Sequence, residues 1–447
     1  MKIKIVDTLP PEDGAMLQAL YSRSAASVDD HLEKAQRTGS SRFMENYVVG
    51  YNHKSIADCG TTTIYIEGVS LLAAKAIQDW PLYSGQETST RYIDMAKQPI
   101  VDILDGWGGA GTMSGYTSPI FDRWMTFYTS NQARVEQTVR ERYPAKADDK
   151  PAEYERAVKA RVFDTLRGFL PAGITTQLSW HTNLRQAGDH LATLIHHPSS
   201  EIRGIAHAVR AALVEQYPSS GFGVGVAGVS AVTGGDTERH RWEAIISQEC
   251  SYNSVHDFPS TFLTSISDIS LNGLHGMFRS RPRGCVLPHF LTDLGQISFG
   301  FDLDFGSFRD LQRHRNGVCR MPLLGVERGF EPWYLQQLDE DLAKQARDLI
   351  EQQTRAIERL TTNLVDRQYY TALGYRVPCR VTYGLPAAVY VMELRSGKTI
   401  HPTLRRVVQE RMIQPFKERF PFIPLHVDTD PDDWTVRRGR QTITEKS

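Results

Sequence analysis

Apolar and polar positions alternate along the chain in two different rhythms. Helical spacing of apolar residues predicts helices over about 11–38, 69–79, 153–170, 183–197 and 200–216. The last of these carries cap candidates at Ser199 and Ser200, an acid at Glu201 in its first turn, and a stop at Pro218. Thr61-Thr62-Thr63-Ile64-Tyr65-Ile66 is rich in β-branched residues and predicts a strand leading into the helix from Val69. From Pro218 to Gly235 the rhythm stops in a glycine-rich stretch. That stretch predicts a linker over 223–236 between a first domain, 1–222, and a second, 237–447.

The same order of elements then recurs. Gln296–Asp302 predicts a strand and Gly306–Gln312 the end of a helix. A long helix is expected over 334–365, with Leu342, Leu349 and Leu360 set among charges. A final helix over 402–418 stops at Phe420-Pro421, much as the earlier one stops at Tyr217-Pro218. Such recurrence points to a duplication. The Asp- and Arg-rich tail from Asp428 reads as a loosely ordered extension.

Composition narrows the class. The 447 residues suit two domains, and 40% hydrophobic with 23% charged residues is a globular balance. Lys and Arg total 51 against 52 acids, a net charge of -1, which argues against a nucleic-acid coat or a polybasic membrane binder. Met1–Gly14 holds no apolar signal core, and no run approaches the ~18 apolar residues of a membrane span. Cys59, Cys250, Cys285, Cys319 and Cys379 are odd in number and form no CxxC pair, so neither a disulfide framework nor a zinc site is indicated. A soluble, cytoplasmic protein with no nucleic-acid or membrane partner is expected, with no metal.

Three clusters invite chemistry and are better explained without it. Gly223-x-Gly225-x-x-Gly228 matches the dinucleotide fingerprint by letter but lacks the strand before it and the helix within it. Arg239-His240-Arg241, between Glu238 and Trp242, reads as a solvated mixed-charge face. His196-His197 at a helix end suits interaction with the last carbonyls.

The informative residues are His53, Ser55 and Asp58, then Ser84-Gly85-Gln86-Glu87-Thr88-Ser89-Thr90-Arg91-Tyr92. Hydroxyls, an amide, a carboxylate and a guanidinium gathered so closely can cradle a phosphate and orient a ring N–H, because Arg donates in a bidentate fork. The plain alternative is that Glu87 and Arg91 form an i,i+4 ion pair on an exposed helix.

In its wider setting this run resembles the signature of the flavin-dependent thymidylate synthases, Arg-His-Arg-x-x-Ser-x-Asn-Glu-x-Ser-x-Arg. Ser84, Gln86 (for Asn), Glu87, Ser89 and Arg91 match its second half. His53-x-Ser55-x-x-Asp58 is similar to an upstream family motif, with Cys59 in its last place. Arg167-x-x-Leu170-Pro171 and Asn183-Leu184-Arg185 fall at the spacing of two further elements. Asp79-Trp80-Pro81 replaces Arg-His-Arg here, and Leu194 or Ile195 stands where a terminal Arg is expected. The second half supplies what the first lacks: Arg313-His314-Arg315 follows a strand and a helix, and Glu393-Leu394-Arg395 resembles the terminal element. The rest of the signature is absent there, with Val318, Arg320, Met321, Leu323 and Gly325 in its places, and Pro386 falls about where Arg185 would.

The resemblance implies an α+β fold in which two tandem thymidylate synthase-like domains, each an antiparallel sheet with long helices, form a pseudo-dimer. It implies a homodimer of the fused chain, a pseudo-tetramer of domains, acting on a small-molecule nucleotide. It implies FAD as cofactor, with NADPH and methylenetetrahydrofolate as co-substrates. His53, Ser55, Asn183, Arg185, Arg313, His314 and Arg315 would hold the flavin. Gln86, Glu87, Ser89, Arg91, Arg167 and Arg395 would hold a pyrimidine nucleotide or related acceptor, with Glu87, Ser89 and Arg91 at the chemistry. Asp310 or Ala76 stands in the place of a substrate-side Gln. The alternatives are a flavoprotein oxidoreductase without carbon transfer and a non-catalytic flavin- or nucleotide-binding protein.

Overall fold

The alternation at Thr61–Ile66 becomes the spine of an antiparallel sheet. In the computed structural model β2 runs over Thr61–Ser70, with β1 (Lys2–Val6) on one side and β3 (Thr175–Asn183) on the other. The structure describes residues 1–6, 10–22, 37–50, 54–105, 119–222 and 261–441, with isolated positions at 30, 33, 240, 243, 244 and 247. The expected linker at 223–236, with its Gly223, Gly225 and Gly228, lies outside the described residues, as do His53, Arg239 and Arg241.

The chain divides into two compact units along lines that leave and re-enter the sequence. The first takes Met1–Thr88, Pro99–Tyr116 and Gly173–Glu249; the second takes Ser89–Gln98, Thr117–Ala172 and Cys250–Ser447.

In the first unit Ile64 and Ile66 point inward while Tyr65 between them stays 42% exposed, as a two-residue period requires. A bulge between Glu67 and Val69 holds Gly68 at φ 71°, a conformation glycine adopts without strain. The inner face meets Ala73, Ala74 and Ile77 of the helix Leu71–Gln78, Leu184, Ala187 and Leu191 of the helix Leu184–Leu194, and Ile202, Ile205 and Val209 of the helix Ser200–Gln216. Each buried Ile, Leu or Val there contributes about 1.5–3 kcal/mol, and each Ala less.

In the second unit four antiparallel strands lie in the order β4 (Thr261–Thr264), β5 (Gln296–Asp304), β7 (Arg376–Gly384) and β6 (Gly317–Arg320). The helices Pro119–Ser130, Pro151–Leu166 and Glu340–Glu358 belong to this unit. Their contacts are aromatic: Phe121 stacks on Tyr370 at 4.5 Å, Phe127 lies 4.4 Å from Phe169, and Trp124 donates to the Tyr370 carbonyl.

The α+β class and the antiparallel sheets are as expected, and three local expectations are corrected. The helix expected over 334–365 is two helices, Pro332–Gln336 and Glu340–Glu358, because the Asp339 side chain caps the second by accepting from Leu342 N–H. The tail from Asp428 is packed rather than loose among its described residues. Trp434 stacks on Tyr143 at 4.6 Å, and Arg161 ion-pairs with Asp433 while lying over the Tyr143, Trp333 and Trp434 rings. Charge in that tail marks docking onto buried cations and rings, which composition alone cannot separate from solvation. Finally, residues 84–91 form no helix, so the i,i+4 reading of Glu87 and Arg91 fails.

Candidate functional site

The signature segment is extended because it adds to the edge of β3. Ser84 bridges to His181 and Glu87 to Leu178, with Ser179 N–H donating to the Gln86 carbonyl and Thr88 N–H to the Gln177 carbonyl. Gly85 is obligatory here, since a Cβ would lie 1.9 Å from the Ser179 carbonyl oxygen. Gln86 is exposed, Glu87 accepts from Gln78 Nε2 at 2.7 Å, and the Ser89 hydroxyl accepts the Arg91 backbone N–H.

Of the first-half flavin candidates, Asn183 caps the helix Leu184–Leu194 by accepting from Gln186 N–H, and Ser55 is exposed. Arg185 is engaged by Asp58 at 2.7 Å and Asp189 at 3.6 Å, and its hydrogen bond with Asp58 raises its pKa. Where Arg-His-Arg is missing, Trp80 stacks on His190 at 4.6 Å and donates to Gln186 Oε1. His190 is buried, its Nε2 meets the Ile77 carbonyl, and burial lowers its pKa to about 4. The expected helix-end role of His197 takes another form: its Nδ1 accepts from Ser199 N–H, and burial lowers its pKa to about 3.

The second unit gathers charged groups that lie far apart in sequence. Arg91 grips Asp164 with both arms of its fork, Nε to Oδ1 at 2.6 Å and Nη2 to Oδ2 at 2.8 Å, and reaches the Thr399 carbonyl. Arg438 approaches the same carboxylate at 3.5 Å. Arg167 is 1% exposed; it donates to Ser307 Oγ at 2.9 Å and lies 4.0 Å from Asp304 and 3.7 Å from Asp310. A Cβ at Gly306 would press on Asp304 Oδ2 at 3.3 Å and touch the Arg167 guanidinium at an ordinary 3.4 Å. Arg313 is 3.6 Å from the other Asp310 oxygen. Arg395 donates from Nε to His314 Nε2 at 2.6 Å and from Nη2 to the Asp310 carbonyl at 2.8 Å.

These contacts fix protonation. His314 accepts at Nε2, and burial followed by the Arg395 charge lowers its pKa to about 3, so the ring is neutral with its proton on Nδ1. The Arg313-His314-Arg315 triplet therefore carries two cations. Burial alone would raise Asp310, but Arg313, Arg167, Arg91 and Arg395 together hold it far below the carboxylate range. Burial raises Asp304, whose Oδ2 accepts from the Tyr334 hydroxyl and from Ser307 N–H. His401 lies between Thr403 and the Asp164 carbonyl, and burial holds it neutral.

Arg91, Arg167, Arg313, His314 and Arg395 are thus brought into one unit, while Gln86, Glu87, Asn183 and Arg185 belong to the other. Asp164, Asp304, Tyr334, His401 and Arg438 were missed by sequence reasoning. One signal was available: Asp164 interrupts the apolar run Val162, Phe163 and Leu166, where an acid needs a buried partner.

The two units repeat one pattern. Ser70 ends β2 and caps the helix Leu71–Gln78 by accepting from Ala73 N–H; Asp304 ends β5 and caps the helix Phe305–Leu311 by accepting from Ser307 N–H. Both caps face partners far along the chain, Ser70 with Glu201 and Asp304 with Tyr334. Ser70 pairs with Thr175, the first residue of β3, and Asp304 with Arg376, the first of β7. Past each helix the chain returns as an edge, Ser84 opposite His181 and Val318 opposite Thr382.

Among the described residues no helix is long and apolar enough to cross a membrane, and no group of three His, Cys, Asp or Glu could hold a metal. Residues 4–219 match the family described as thymidylate synthase complementing protein. A UPF0159 protein of Chlamydia pneumoniae is 23% identical over 417 residues, 82% of this chain and 76% of its own. A UPF0159 protein of Thermoplasma acidophilum is 23% identical over 466 residues, 88% of this chain and 91% of its own. Among solved structures, a UMP/dUMP methylase PolB from Streptomyces cacaoi bound with 5-Br dUMP is similar at 18% identity and TM-score 0.30, covering 49% of this chain and 92% of that one.

Proposed function

From the match of residues 4–219 to the family described as thymidylate synthase complementing protein, we propose that the chain is a thymidylate synthase-like transferase placing a one-carbon unit on a pyrimidine nucleotide or a related small acceptor. The cofactor is FAD, with methylenetetrahydrofolate as donor and NADPH as reductant. The chain is a tandem duplication that works as a homodimer; the repeated caps, register and edge returns support the duplication.

One observation carries the reading. Arg91 and Arg167 from the first half of the sequence share a unit with Arg313 and Arg395 from the second, and Arg167, Arg313 and Arg395 meet at Asp310. A phosphate bearing nearly two charges needs several donors, and guanidiniums supply them with bidentate geometry. Each half has kept cations that the other lost.

The residues present fit an anionic cofactor in part. Arg313, whose side chain is 42% exposed, and Arg315 beside it are the cations that would meet a flavin. His314 is held by Arg395, leaving Nδ1–H to donate. Arg185 is committed to carboxylates and contributes less. Flavin, when bound, supplies the reducing electrons of the transfer. The chain's own work is positioning: Arg395 fixes the His314 ring, and Asp310 balances the charge of Arg167 and Arg313.

The purified protein is expected to show flavin absorption, or to acquire it on addition of FAD, and to bind deoxyuridylate in calorimetry. Arg313→Ala with Arg315→Ala removes two charge-assisted contacts, about 1.5–3 kcal/mol each, and releases the flavin. A colourless protein that cannot be reconstituted and binds no pyrimidine nucleotide refutes the proposal.

A further inference from the structure

We infer that Asp310 is an internal anion seated among Arg167, Arg313 and Arg395, and that a phosphate monoester enters this unit by competing with it. The two carboxylates of the cluster are held in different ways. Asp164 is locked by Arg91 at 2.6 and 2.8 Å. Asp310 stands 3.7 Å from Arg167 and 3.6 Å from Arg313, too far for strong hydrogen bonds, and its buried Oδ2 accepts none. Arg395 donates to its backbone carbonyl and leaves the carboxylate alone.

At least one donor beside Asp310 is left unused. Arg167 Nε is buried without a hydrogen-bond partner, although the guanidinium is almost wholly enclosed. A carboxylate that neutralises a cationic cradle by its field, without using up the N–H groups, is the weakest kind of occupant. A phosphate brings more charge and more acceptor oxygens to the same donors. It also meets repulsion from Asp310, which the charges of Arg313, Arg167, Arg91 and Arg395 keep ionised. Asp310 thereby sets a threshold: weak or singly charged anions are turned away, and a ligand must offer further contacts to displace it. The natural identity of that ligand rests on the nucleotide reading above; the charge competition does not.

The test is calorimetric titration of the full chain with inorganic phosphate, comparing parent, Asp310→Asn and Asp310→Glu. Removing a unit charge a few Å from the phosphate is expected to tighten binding at least about tenfold in Asp310→Asn, even with strong dielectric screening. Asp310→Glu, which keeps the charge, should stay close to the parent. Asp310→Gln carries the same test should the Asn variant fail to fold. Unchanged or weaker phosphate binding in the neutral variants overturns the inference, as does an equal gain in Asp310→Glu. A separate titration with deoxyuridylate keeps the two ideas apart. Tightened phosphate with no nucleotide binding sinks the proposed function alone, and nucleotide binding with unmoved phosphate affinity sinks only this inference.

Discussion

Arg91 and Asp164 offer the sharpest test of how this cluster is held together. Their side chains are 11% and 5% exposed and joined by two short parallel hydrogen bonds. Removing one member of a buried pair strands the other, at about 3–5 kcal/mol. The two truncations differ here. Arg91→Ala leaves Asp164 with Arg438 at 3.5 Å, which places its cost near the lower figure. Asp164→Ala leaves two guanidiniums facing one another without an anion, which places its cost at the upper figure or beyond. Burial and the Arg91 charge already push the Arg438 pKa down, a sign of that crowding. At roughly 2–4 °C per kcal/mol, Asp164→Ala should lower Tm by about 10 °C or more. The joint replacement Arg91→Ala, Asp164→Ala should cost less than the sum of the single changes by about 2 kcal/mol, since each removes the other's stranded partner. Differential scanning calorimetry reads all three. If Arg91→Ala costs more than Asp164→Ala, or either costs under about 1 kcal/mol, the pair is not what secures the unit.

Two further outcomes follow from individual sites. His190 is held at about 4 against an ordinary 6.5, so the unfolded chain takes up a proton first as pH falls; its stabilising effect is intact above about 6.5 and is lost towards about 4, up to about 3 kcal/mol. Tm measured across that window should fall less steeply in His190→Phe than in the parent, and equal slopes would show the ring is not responsible. Gly168→Ala should destabilise by about 1–3 kcal/mol, because its Cβ would lie 2.7 Å from the Tyr334 ring; an unchanged Tm would mean that the ring can step aside.

Much of the local structure was legible because it depends on local rules. The strand at Thr61–Ile66 follows from alternation, and the helix Ser200–Gln216 matches its expected bounds. The Arg313-His314-Arg315 triplet was correctly placed after a strand and a helix. What stayed hidden depends on distant partners. Glu201 looked like a first-turn acid, yet it is fully buried and receives both the N–H and the hydroxyl of Ser70. Trp434 looked like part of a loosely ordered tail, yet its ring has Tyr143 for a neighbour. Arg91 could be recognised as a phosphate-type cation, but nothing in its own segment announces Asp164. Pattern names the residues that matter more readily than it names what each one touches.

The way the units draw on the sequence also bears on how the protein is made. Residues 117–172 leave the ribosome well before β5 and β7, with which they share a unit. At about 5–20 residues per second, the helix Pro151–Leu166 waits on the order of ten seconds for β5 to be synthesised. During that interval Phe121, Trp124, Phe163 and Phe169, all buried in the finished protein, have no completed unit to enter. Separately expressed halves cut at the glycine-rich stretch would each inherit this problem permanently, one with the helices of residues 119–166 lacking their sheet and the other with that sheet lacking those helices. Until β5 and β7 are made, those side chains stay without the sheet that completes their unit.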